Sequence, residues 1–150
     1  IGQADCYVDT MRPGPDELIA LDLEGLDPRA FMSLDDAVRC IERIHARTGR
    51  YPLVYANSAV VRAIAKTYGA DSVFAKCPLW IARPGPVLDG LPNGVWQTYA
   101  LWQFSSEMNC KPAGKGACFY RVPGTAFDMD VNVFPGTVDE LRAKWPFREE

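Results

Sequence analysis

An α/β protein built on a parallel sheet is what the sequence predicts, and three features predict it. Short, nearly continuous apolar runs, which read as strands buried on both faces, alternate with stretches whose apolar residues recur at helical spacing. Gly and Pro punctuate the joins, and Ser or Thr stands where helices should begin. The 150 residues, 48% hydrophobic and 23% charged, suit one globular core and exclude a disordered, collagen-like or coiled-coil chain. Residues 1–150 therefore read as a single domain. Its sheet is either open and doubly wound or closed as a barrel. In both, functional groups gather at the carboxyl ends of the strands.

The elements follow in order. Ile1, Ala4, Val8 and Met11 fall on one helical stripe that stops at R-P-G-P, like the back half of a helix. Residues 18–24 (L-I-A-L-D-L-E) form a buried strand ending in acids. Ser33, with Asp36 three residues on, caps a helix whose apolar face is Leu34, Ala37, Val38, Ile41 and Ile44. Gly49 ends it, free to take the left-handed conformation. Residues 51–56 (Y-P-L-V-Y-A) make the next strand, and a helix over 58–68 stops at Gly69. Residues 79–82 (L-W-I-A) are a third strand, followed by a Pro/Gly-rich loop to Gly94; residues 98–104 are a fourth. An irregular segment over 105–126 leads to a fifth strand at 129–134. Thr137 and Glu140 form a capping box for a last short helix ending near Trp145.

Charge and cysteine usage narrow the function. Sixteen Lys and Arg against 19 Asp and Glu leave −3, with no basic face for nucleic acid or an anionic membrane. No apolar stretch approaches the ~20 residues that span a bilayer. None of the five cysteines has C-x-x-C spacing, and the single His45 weakens a zinc site or a Cys/His hydrolase. Cys6, Cys40 and Cys77 read as small buried hydrophobes. Cys110 and Cys118 flank K-P-A-G-K-G-A and can bridge that loop in an oxidising compartment. Residues 1–11 do not read as a signal peptide, and the absence of an initial Met suggests a mature product or a fragment.

Chemistry is expected at two acidic strand ends. Asp22 and Glu24, at i and i+2, project to one face with Cα atoms roughly 6.5 Å apart. Partly desolvated, two such carboxylates resist joint ionisation. One stays protonated beside an anion, as acid/base work on a glycosidic bond requires. Asp128 and Asp130 repeat the pattern in F-D-M-D-V-N, with Asn132 on the same face. Four acids would also suit divalent cations, so a metal-dependent phosphoesterase is a rival, although no Gly-rich phosphate loop is present. Tyr55, Trp80, Trp96, Tyr99 and Trp102 lie in or beside strands. Each is either core or a flat platform for the apolar face of a sugar ring. G-x-S-x-G is absent, which leaves a serine hydrolase unsupported.

The order of motifs A-L-D-L-E-G, Y-P-L-V-Y-A-N, L-W-I-A-R, L-W-Q-F-S-S and D-M-D-V-N-V-F resembles the second half of the family 25 glycoside hydrolases, lysozyme-type muramidases that act on peptidoglycan. The likeness spans residues 3–134. It implies an irregular (β/α) TIM-like barrel, incomplete here, with about five parallel strands and helices. It also implies Glu24 as general acid, Asp22 as its anionic neighbour and Asp130 as a third active-site carboxylate. Tyr55, Trp80, Trp102 and Gln103 match binding positions at strand ends. The implied partner is peptidoglycan or a related N-acetylated glycan, with no cofactor or metal, at an extracellular or cell-envelope location. The family's opening D-V-S-type strand and two further strands have no counterpart in these residues, as if the first quarter of a barrel were missing. Exposed sheet edges would then favour oligomers. A non-catalytic glycan-binding module is the alternative from another class.

Overall fold

Side-chain caps and aliphatic runs set the element boundaries. The computed structural model describes residues 1–92, 94–106, 120, 122–125 and 129–147. In chain order these residues form α1 (Gly2–Met11), β1 (Ala20–Leu23), α2 (Leu34–Thr48), β2 (Leu53–Asn57) and α3 (Ser58–Thr67). A 3-10 turn (Val73–Lys76), β3 (Leu79–Ala82), β4 (Leu101–Ser105), β5 (Val131–Val133) and α4 (Val138–Lys144) complete it. Ser33 Oγ accepts from the Asp36 N–H at 3.1 Å to start α2, and Gly49 closes it at φ 70°. Asn57 Oδ1 accepts from the Ala59 and Val60 N–H groups to start α3. Thr137 and Glu140 form the expected capping box at α4.

The sheet has the order β1-β2-β3-β4-β5. Strands β1 to β4 are parallel, as expected, and pair in register from Ala20↔Leu53 through Val54↔Leu79 to Trp80↔Leu101. The fifth strand departs from the expectation of five parallel strands. It runs antiparallel to β4, with Gln103↔Asn132 paired and an irregularity between Gln103 and Ser105. A parallel strand needs a crossover that returns the chain to the opposite end of the sheet. Here the chain enters β5 at the end where it leaves β4.

Burial alternates along the strands. Leu21 and Leu23 of β1, Val54 and Ala56 of β2, and Leu79 and Ile81 of β3 are buried in one cluster with Ile41 and Ile44 of α2 and Val60, Val61 and Ile64 of α3. That apolar layer is the core. Cys40 and Cys77 lie in it as expected, but Cys6 is exposed on α1. Cys110 and Cys118 fall outside the described residues.

Helix α1 is also oriented differently from its apolar stripe. Ile1 and Met11 are 66% and 61% exposed, and Ala4 is the buried residue of the helix. Ion pairs set its rotation: Asp5 meets Arg43 and Arg47 of α2 at 2.7 Å each, and Asp9 meets Arg47. Asp5 and Asp9 are four residues apart and so share one face. That pair turns toward α2 and carries the flanking apolar residues outward. Among the described residues no helix is long and apolar enough to cross a membrane.

This packing makes a contrast that denaturation can measure. Ile64→Ala, at a fully buried position, is expected to cost about 2–5 kcal/mol. Met11→Ala should stay within about 0.5 kcal/mol. Urea melts with a shared m-value would check both, and a large loss from Met11→Ala would restore the sequence-based orientation of α1.

Candidate active site

The face of the sheet opposite the helices carries the polar and aromatic residues. Period-two alternation puts Asp22 and Glu24 on it from β1, Tyr55 from β2, Trp80 from β3 and Gln103 from β4. The antiparallel entry of β5 brings Asp130 and Asn132 to the same place. A fully parallel fifth strand would have put its acidic start at the far end of the sheet, away from Glu24. The seven side chains line a groove of about 420 Å3 at the carboxyl ends of the parallel strands.

Hydrogen bonds lace this face diagonally. The Tyr55 hydroxyl donates past β3 to Gln103 Oε1 at 2.9 Å, and Trp80 Nε1 donates past β4 to Asn132 Oδ1 at 2.7 Å. The Tyr55 and Trp80 rings meet edge to face, 5.1 Å apart at 77°. Below them, Asn57 Nδ2 donates to the Glu24 carbonyl at 2.7 Å while its Oδ1 caps α3. One side chain thus ties the acidic end of β1 to the start of a helix. At Gly25, next in the chain, a Cβ would lie 2.2 Å from the Phe31 ring, so only glycine lets that loop close as it does.

The electrostatics raise two of the acids. Partial burial pushes the Asp22 carboxyl above its ordinary range. Glu24 is raised first by desolvation, then by the charges of Asp22 and Asp130. Neither meets a cation or a hydrogen-bond donor among the described residues to offset this. Desolvation, reinforced by Glu24 and Asp130, also raises Tyr55 and keeps its hydroxyl a neutral donor. The site can therefore hold a proton on one carboxyl beside other carboxylates.

Of the residues expected at the site, Asp22, Glu24, Asp130, Tyr55, Trp80 and Gln103 come together, and Trp102 does not. Trp102 lies on the helix-facing side, 9% exposed, with Nε1 donating to the Arg83 carbonyl at 2.8 Å and its ring near Tyr99 and Phe104. It is adjacent to Gln103, and alternation sends neighbours to opposite faces. Trp96 is likewise core, bonded through Nε1 to the Cys77 carbonyl. Asp128 falls outside the described residues. Among those described, no three His, Cys, Asp or Glu side chains are placed to hold a metal ion. Asn57 was not expected here; its position after Y-P-L-V-Y-A, where a helix begins, marks it as a cap but not as a tie to Glu24.

The raised carboxyls bear on stability. Both bind their proton more tightly in the folded chain than in the unfolded one. Each therefore lowers stability as pH rises from the ordinary carboxylate range through its raised pKa. Asp22→Asn removes that penalty and should melt at a higher temperature than the parent at pH 7. The difference should close near pH 3, below the ordinary range of about 4. Thermal melts across that interval check it, and a variant less stable at pH 7 would contradict it.

No protein-family model and no curated protein matches the chain. Solved structures do. The bacterial lysozyme from Streptomyces coelicolor aligns at a TM-score of 0.61 and 23% identity, over 94% of this chain and 63% of that one. A family GH25 lysozyme from Aspergillus fumigatus gives 0.58 and 20%, over 94% and 64%. The spore cortex lytic enzyme SleM of Clostridium perfringens gives 0.65 and 20%, over 93% and 45%. The chain spans less than two thirds of the length of each. What it has in common with these lysozymes and this lytic enzyme is the fold.

Proposed function

We propose that the groove hydrolyses β-1,4-glycosidic bonds in peptidoglycan or a related N-acetylated glycan, as an N-acetylmuramidase. The observation that carries this reading is the gathering of Asp22, Glu24 and Asp130 beside Tyr55 and Trp80 in one groove. Glu24, raised by desolvation and by its acidic neighbours, is the general acid that protonates the leaving sugar oxygen. Asp22, as the anion beside it, stabilises the oxocarbenium-like centre or orients the substrate's acetamido group. Asp130 adds a third negative charge, and its field helps keep the proton on Glu24. The ring of Trp80 offers an apolar platform to a pyranose. Solved structures of the same fold carry the names lysozyme and muramidase, which supports the choice of substrate. Such a substrate places the protein outside the cell or at its envelope.

Glu24→Gln is expected to reduce clearing of bacterial cell walls by about 10²–10⁴-fold with the fold retained by circular dichroism. Undiminished clearing would overturn the assignment. Activity should also fall as pH rises past the raised pKa of Glu24. In Asp22→Asn the residual activity should lose its alkaline limb at lower pH, because one of the charges that raise Glu24 is gone. A pH–rate profile of each chain reads this directly.

A further inference from the structure

Asp22, Tyr55 and Trp80 are held level by the ladder, through the pairs Asp22↔Tyr55 and Tyr55↔Trp80. Glu24 is not. Pairing of β1 with β2 ends at Leu23↔Ala56, so Glu24 stands one residue past the strand, where the chain leaves for the loop. Its carboxyl meets no hydrogen-bond donor or cation among the described residues. The direction of the acid is therefore set by the backbone from which it projects.

One side chain restrains that backbone from the end of the neighbouring strand. Asn57 Oδ1 accepts from the Ala59 N–H at 3.0 Å and from the Val60 N–H at 3.1 Å. Two donors on the oxygen leave the amide one orientation, with Nδ2 toward the Glu24 carbonyl, to which it donates at 2.7 Å. Helix α3, with Val60, Val61 and Ile64 buried in the core, anchors the arrangement. A cap needs only the oxygen, and Ser, Asp and Asn serve about equally well there. Among those three, only Asn brings the NH2 that reaches Glu24.

We propose that Asn57 is a positioning residue for proton donation by Glu24, holding the backbone beneath the acid while its oxygen caps α3. The inference rests on the glycosidase reading and names a residue outside the groove lining on which the rate depends. A general acid must come within about 2.6–3.2 Å of the oxygen it protonates. A misplacement of about 1 Å, caused far from the chemistry, can cost about 10²-fold in rate. The ladder keeps Tyr55 and Trp80 in place when Glu24 drifts. The loss therefore belongs in kcat rather than in KM.

Asn57→Ser and Asn57→Asp separate the two roles, since both keep a capping oxygen and neither carries the amide donor. Reducing ends released from purified peptidoglycan are followed for each. In both, kcat should fall about 10- to 100-fold, while KM stays within about twofold and the thermal midpoint stays close to the parent's. Asn57→Asp serves if Asn57→Ser fails to fold. The decisive measurement repeats the substitutions in a Glu24→Gln chain. With the acid gone there is nothing left to position, so the residual rate should change by less than about twofold. A merely structural role would slow both backgrounds alike. An undiminished kcat in the single variants, or an equal loss in the two backgrounds, overturns the positioning role alone. A parent chain that releases no reducing ends overturns the glycosidase reading with it.

Discussion

Side chains alternate along a strand, and in this chain the alternation sorts two chemistries onto two faces of one sheet. Leu21 and Leu23 face the helices, while Asp22 and Glu24, interleaved with them, face the groove. The same division separates Val54 and Ala56 from Tyr55, and Ile81 from Trp80. Because the apolar face is buried against α2 and α3, a slip of one residue in any strand would put aliphatics in the groove and carboxylates in the core. The hydrophobic effect therefore fixes the register, and the register fixes the site. No separate interaction has to bring Asp22, Tyr55 and Trp80 level with one another: Asp22↔Tyr55 and Tyr55↔Trp80 are already paired in the ladder.

What register alone does not supply is the closure of the site at its two ends. At one end Asn57 links Glu24, the residue that follows β1, to the first turn of α3, so Glu24 is held by a backbone contact and its carboxyl remains free of one. At the other, the reversal of β5 delivers Asp130 to the end where the parallel strands finish. The indole bond from Trp80 to Asn132 then spans β4 and fastens the reversed strand to the parallel part of the sheet. The short β5, three residues long, relies on such a tie, since its ladder to β4 is broken by an irregularity.

The sequence made much of this legible. Apolar runs located all five strands, and caps at Ser33 and Thr137 located helix starts to the residue. Asp22 and Glu24 were visible because acids inside an apolar run are costly unless they are used. Three features escaped. Strand direction leaves no trace in a three-residue apolar run, so β5 read as parallel. Trp102 resembled a platform residue by type, but its neighbour Gln103 occupied the groove side, and two adjacent residues cannot share a face. The stripe of α1 misled because three ion pairs from Asp5 and Asp9 set the rotation of the helix, burying Ala4 and leaving Ile1 and Met11 exposed.

The groove carries an electrostatic cost within a well-packed sheet. Asp22 is raised by burial and Glu24 by burial and by the charges of Asp22 and Asp130, and Glu24 gains no compensating donor among the described residues. A chain selected for stability alone would pair these acids with arginine, as it does on α1, where Arg43 and Arg47 hold the Asp5 carboxyl below its usual range. The two acidic clusters thus differ in burial and in partners. On α1 cations quench the charge, and it serves packing; in the groove Asp22 and Glu24 meet no cation among the described residues. A carboxyl raised in this way keeps its proton to higher pH than an ordinary one and can still surrender it to a ligand oxygen, whereas a salt-bridged one is held ionised. The cost to stability and the capacity for proton transfer come from the same missing partner.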